Sequence, residues 1–145
     1  MSNHSNQISE AFRVLKRGGQ AAFSVWGRRE NCAIFTLIPE ILKWFGIESP
    51  PSKSAFHLND DKYLRNELLK AGFSNVKTYY TPANKTFFTG ESVFEWFSQG
   101  TMFKGIEENL LNDIKKEFIA EFDKRFGPES TDFITFEALV AICVK

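Results

Sequence analysis

Phe12-Arg-Val-Leu-Lys-Arg-Gly-Gly-Gln-Ala-Ala-Phe-Ser-Val-Trp-Gly27 decides the fold class of this chain. Ile8, Ala11, Phe12 and Leu15 recur at helical spacing with Val14 beside them, which predicts the last turns of an amphipathic helix over residues 9–17. Lys16 and Arg17 fall where cations favour a helix C-terminus. Gly18 supplies the left-handed residue that ends a helix, and Gly19 relaxes the exit. Residues 21–26 are then apolar apart from Ser24 and too few for a helix. Such a run predicts a strand covered on both faces, as in parallel sheets. By pattern alone this is a helix–turn–strand unit of any α/β protein.

Working outward, residues 27–31 read as a loop and Asn31 as the N-cap of a helix over 32–45. Ile34, Leu37, Ile38, Ile41, Leu42 and Phe45 form its apolar face, and Pro39 is expected to kink or break it. Asn59 or Asp60 caps a helix over 61–71, with Tyr63, Leu64, Leu68 and Leu69 on the apolar face and Gly72 at its C-cap. Residues 76–80 form a strand. Thr89 caps a short helix over 91–98. The longest helix, 106–126, aligns Leu110, Leu111, Ile114, Phe118, Ile119, Phe122 and Phe126 on one face. Gly127-Pro128 stops it. The last strand covers 133–144, with a bulge or break expected near Glu137 and Ala138.

The opening stretch resembles the segment that follows the cofactor-binding half of a class I S-adenosylmethionine-dependent methyltransferase of the type 11-like kind. The resemblance rests on Arg-Val-Leu-Lys-x-Gly-Gly followed by Ser-Val-Trp-Gly. Phe56-His-Leu-Asn-Asp-Asp-Lys-Tyr-Leu-Arg-Asn-Glu-Leu-Leu-Lys-Ala-Gly-Phe73 is similar to the family's next unit. Phe133-Ile-Thr-Phe-Glu-Ala-Leu-Val-Ala-Ile-Cys-Val144 is similar to its final strand. The resemblance implies an α/β fold (α+β for a fragment). A small mixed three-stranded sheet would correspond to the fifth, sixth and seventh strands, the last lying antiparallel between the other two. Four to five helices would pack on it, including a helical insertion over 84–130. The expected organisation is a flexible end over 1–7 and one domain over 8–145.

The resemblance also implies a truncated or partial methyltransferase, one that would transfer a methyl group to a small molecule if the fold were whole. A glycine-rich turn after the family's first strand, and an acid after its second, hold the cofactor. This chain has no Gly-x-Gly. Its Gly18-Gly19 pair precedes a strand, and Asp60 and Asp61 read as helix caps. We therefore expect no cofactor-binding residue, no catalytic residue and no cofactor bound by this chain alone, although S-adenosylmethionine serves the family. The family's substrate side falls on Trp26, Arg28 and Arg29 after the first strand. It falls again on Phe94, Trp96, Phe97 and Met102 in the insertion, near Phe87, Phe88 and Phe103. An aromatic cluster with a basic pair suits an apolar or carboxylate-bearing small molecule. The competing expectation is that these rings are core and that the arginines form a solvated pair. A non-catalytic ligand- or protein-binding module, or a structural dimer, is the alternative function.

Composition narrows the remaining classes. In 145 residues, 18 basic and 18 acidic side chains cancel, which argues against nucleic acid or an acidic membrane surface as partner. No stretch reaches the roughly 18 apolar residues that span a bilayer. The polar N-terminus has no apolar signal region. Two cysteines, Cys32 and Cys143, lie far apart without a histidine at ligand spacing, so they read as reduced thiols of a cytoplasmic protein with no metal site. His4, His57 and Glu67 invite an acid–base reading, but a lone histidine at a turn is more often structural. The strand between Ala21 and Val25 would lose a neighbour present in the full fold. Its open apolar edge predicts a homodimer or a partner chain.

Overall fold

In the computed structural model, residues 4–48, 56–85, 89–100, 103–127 and 134–145 are described. These residues form five α-helices and three strands in the order α1 (His4–Val14), β1 (Gln20–Trp26), α2 (Ala33–Trp44), α3 (Asp61–Lys70), β2 (Ser74–Lys85), α4 (Gly90–Ser98), α5 (Glu108–Phe126) and β3 (Ile134–Val144). The strand order is β1-β3-β2, so the C-terminal strand lies in the middle, as expected. Its ladder with β1 is antiparallel, from Gln20 opposite Val144 to Trp26 opposite Ala138. On its other side, Ser74 at the start of β2 donates its hydroxyl to the Val144 carbonyl at the end of β3. Both ladders are antiparallel, so the three-stranded sheet is antiparallel throughout, where a mixed one was expected, with β3 reversed between the other two strands.

The chain, expected as one domain over 8–145, divides into two compact units. One comprises Met1–Asn31, Lys53–Ala83 and Glu137–Lys145; the other comprises Cys32–Ser52 and Asn84–Phe136. The expected insertion over 84–130 falls within the second.

In the first unit, one face of the sheet packs on α1 and α3. Leu139, Ala141 and Cys143 of β3 are buried with Ile8, Leu64, Leu68, Phe73 and Val76. Ala21, Phe23 and Val25 reach the same cluster half-buried. Gln20, Ala22 and Ser24 face solvent on the other side. This corrects the expectation of a strand covered on both faces: the run is apolar, but one of its faces carries only Gln20, Ala22 and Ser24. Gly18 does take the left-handed conformation, at φ +75°. The flexible end expected over 1–7 is helical from His4 on. Buried Ile8 anchors it, and the His4 ring lies 5.3 Å from that of His57.

The second unit is helical. Ile34, Leu37, Ile38, Ile41 and Leu42 of α2 are buried, as the periodicity predicts, and Ile114, Phe118 and Phe122 form the buried stripe of α5. Helix α2 continues through Pro39 instead of breaking there. Its N-cap position is Cys32, whose side chain makes no capping hydrogen bond, and the Asn31 side-chain amide donates to Glu137 instead. Thr89 caps α4 as expected, and a capping box with Ser92 completes the turn. Strand β3 runs unbroken through Glu137 and Ala138, where a bulge or break was expected, and the Glu137 carboxylate accepts from the Arg28 guanidinium.

Candidate functional site

Strand β1 ends at Trp26, and the chain turns away through Gly27, Arg28 and a single 3-10 turn over Arg29–Asn31. The Gly27 amide donates to the Glu137 carbonyl at 2.7 Å. A Cβ at Gly27 would meet the Glu137 Cγ at 2.7 Å and its carbonyl carbon at 3.0 Å, so only glycine fits this approach. The next residue closes the cluster. Arg28 Nε donates to Glu137 Oε2 and Nη2 to Oε1, each at 2.7 Å, in the two-pronged geometry that matches guanidinium to carboxylate. The Arg28 backbone amide donates to Oε2 at 3.2 Å, and Asn31 Nδ2 to Oε1 at 2.5 Å.

Glu137 is the only buried charged residue among those described. The Arg28 guanidinium, then the Asn31 amide and the Arg28 backbone N–H, hold its carboxyl down from 4.5 to about 2 against the opposing effect of burial. The Arg28 guanidinium also lies 4.6 Å from the centroid of the Tyr80 ring. The Tyr80 hydroxyl donates to the Asn59 carbonyl at 2.8 Å, and burial raises its pKa, with Asp61 adding to the rise. The Trp26 ring sits 6.4 Å from Phe56.

This arrangement is closed on itself. The carboxylate accepts from several donors and stays ionised, so it has no proton to give and little basicity to offer. The guanidinium fork is already matched, so Arg28 presents no free cation to an anionic ligand. The cluster latches the loop after β1 onto β3.

The expected substrate-side residues divide between the units. Trp26, Arg28 and Arg29 share the loop in the first, where Trp26 is half-buried and Arg29 exposed. Phe94, Trp96 and Phe97 share α4 in the second. Phe94 stacks on Phe103 at 4.9 Å and tilts against Phe118 at 5.5 Å; Phe97 meets Phe35 edge-on at 5.5 Å. Phe94 and Phe97 are buried in that packing, and Trp96 is half-buried against Phe97 at 4.8 Å. Met102, Phe87 and Phe88 lie outside the described residues.

The sequence reading named Arg28 but missed Glu137, Asn31, Gly27 and Tyr80 as its neighbours. The signal for Glu137 was present: a lone acid inside an apolar strand must find a partner. Of the residues weighed for acid–base work, His4 Nε2 lies 3.6 Å from Glu67 Oε2. Lys70 Nζ donates to Glu67 Oε1 at 2.9 Å and keeps that carboxyl below its ordinary range. Among the described residues, no group of three His, Cys, Asp or Glu side chains is placed to hold a metal ion. No helix among them is long and apolar enough to cross a membrane.

No known family profile and no curated protein matches this sequence. Solved structures do. A candidate methyltransferase of Bacillus halodurans is 17% identical with a TM-score of 0.45; the match covers 100% of this chain and 59% of that one. Phosphoethanolamine N-methyltransferase 2 of Haemonchus contortus, in complex with phosphomonomethylethanolamine and S-adenosylhomocysteine, is 12% identical with a TM-score of 0.39. That match covers 100% of this chain and 31% of that one. The similarity therefore takes in this whole chain and only part of each methyltransferase.

Proposed function

We propose that this chain is the later, substrate-side portion of a class I methyltransferase fold. It serves methyl transfer to a small molecule only together with a cofactor-binding portion, and alone it neither binds S-adenosylmethionine nor catalyses. The observation that carries this reading is the strand order. β3 lies reversed between β1 and β2, which is the order that the resemblance assigns to the fifth, seventh and sixth strands. The order of the resembling segments along the chain supports it. The lack of any Gly-x-Gly turn supports the second half of the proposal. In this reading the protein is cytoplasmic, where Cys32 and Cys143 remain reduced thiols buried in their units.

The alternative, a non-catalytic module that takes a small apolar ligand through the aromatic segment, has less support. Phe94 and Phe97 already bury their rings against other aromatics.

The test is calorimetric titration of the folded chain with S-adenosylmethionine and S-adenosylhomocysteine. No heat of binding is expected from either. Micromolar binding would show a cofactor site in these residues and overturn the proposal.

A further inference from the structure

Each of the two compact units has a core of its own. In the first, Leu139 and Cys143 of β3 are buried with Ile8, Leu64 and Phe73. In the second, Phe94 lies against Phe103 and Phe118, and Phe118 stacks on Phe122 at 6.1 Å. Polar ties divide in the same way. The β1–β3 ladder, the Arg28–Glu137 fork, the Ser74–Val144 bond and the Tyr80–Asn59 bond all have both partners in the first unit. Arg125–Glu40 at 2.8 Å and Lys115–Glu91 at 2.6 Å have both partners in the second.

These ties differ in strength. The first unit has a continuous ladder from Gln20 to Trp26, with a buried carboxylate gripped at its end. The two ion pairs of the second are partly exposed, where such pairs contribute little. Its helices α2 and α4 have twelve and nine residues, too few to persist alone in water. Pro39 inside α2 also removes one N–H from that helix's hydrogen bonds. Both helices pack on α5, so both last only as long as the core that they share with it.

We propose that the second unit opens by cooperative local unfolding while the first stays folded. Contiguous groups of elements open below the free energy of global unfolding when their contacts close among themselves, and α2, α4 and α5 form such a group. The ladder and the Arg28–Glu137 fork survive the opening, since both of their partners lie in the first unit. Opening brings to solvent the rings of Phe94, Phe97 and Phe103, which are buried in the closed form. The fold thereby holds an apolar surface that the open form alone presents. None of this rests on the methyltransferase-like reading, and the test involves no cofactor.

The test is hydrogen exchange of the intact chain, read by mass spectrometry on peptides from both units. The slowest amides of α2, α4 and α5 should share one opening and exchange roughly tenfold or more faster than the slowest amides of β1 and β3. Phe118→Ala should speed the three helices by about a hundredfold and leave β1 and β3 unchanged. Phe118→Leu, the milder variant, should do the same by about tenfold. Leu139→Val, in the core of the first unit, should speed β1 and β3 and leave the three helices unchanged. Equal protection of the two units, acceleration of β1 and β3 by Phe118→Leu to the same extent as the helices, or opening of α4 without α2 would each overturn the proposal.

Discussion

Glu137 and Arg28 stand 109 residues apart in the chain and meet with unequal exposure: the Arg28 side chain is 49% exposed and that of Glu137 only 7%. The asymmetry ranks the consequences of breaking the pair. Glu137→Gln keeps an acceptor for Asn31 and lets Arg28 turn to water, so it should cost about 1–2 kcal/mol. Arg28→Ala should be the more damaging change, because it strands a buried carboxylate. The pair also has a pH signature. The folded carboxyl titrates near 2 and the unfolded one near 4.5, so its contribution is complete above the unfolded value. It is lost as pH falls from there toward about 2. Its size is on the order of 2 kcal/mol once solvent screening at Arg28 is allowed for. Urea unfolding from neutral to acidic pH should show this loss in the wild type and lack it in Glu137→Gln. If the two proteins lose stability in parallel, the latch does not carry it. The sequence made Arg28 legible as a basic residue at a strand end and left its role open. The deciding fact, a bidentate acid on a distant strand, is tertiary and has no local pattern.

Among elements, α4 is the one most dependent on its ends. It has nine residues, fewer than an isolated helix needs to persist in water. Thr89 Oγ1 accepts from the Ser92 amide at 3.1 Å, and Ser92 Oγ accepts from the Thr89 amide at 3.4 Å. Thr89→Ala should cost ~1 kcal/mol and Thr89→Ser only a fraction of that, since serine caps as well as threonine. Equal losses in the two variants, read from urea midpoints, would mean that the threonine methyl packs and the cap is idle. This cap was legible because threonine before a short apolar helix has a local cause. So were the stripes of α2 and α5, which follow from 3.6-residue periodicity. The misreadings came from contacts that periodicity does not report. Tyr63 and Leu69, expected on the apolar face of α3, are 41% and 44% exposed, and the helix buries only Leu64 and Leu68. Asn31 has the right residue type for a cap, but Glu137 takes its amide.

At the scale of the whole molecule, the order of strands was legible and the division into units was not. The order came with a run of segments whose sequence in the chain resembles a known fold. The units are discontinuous along the chain, and local patterns carry no information on which distant segments share a core.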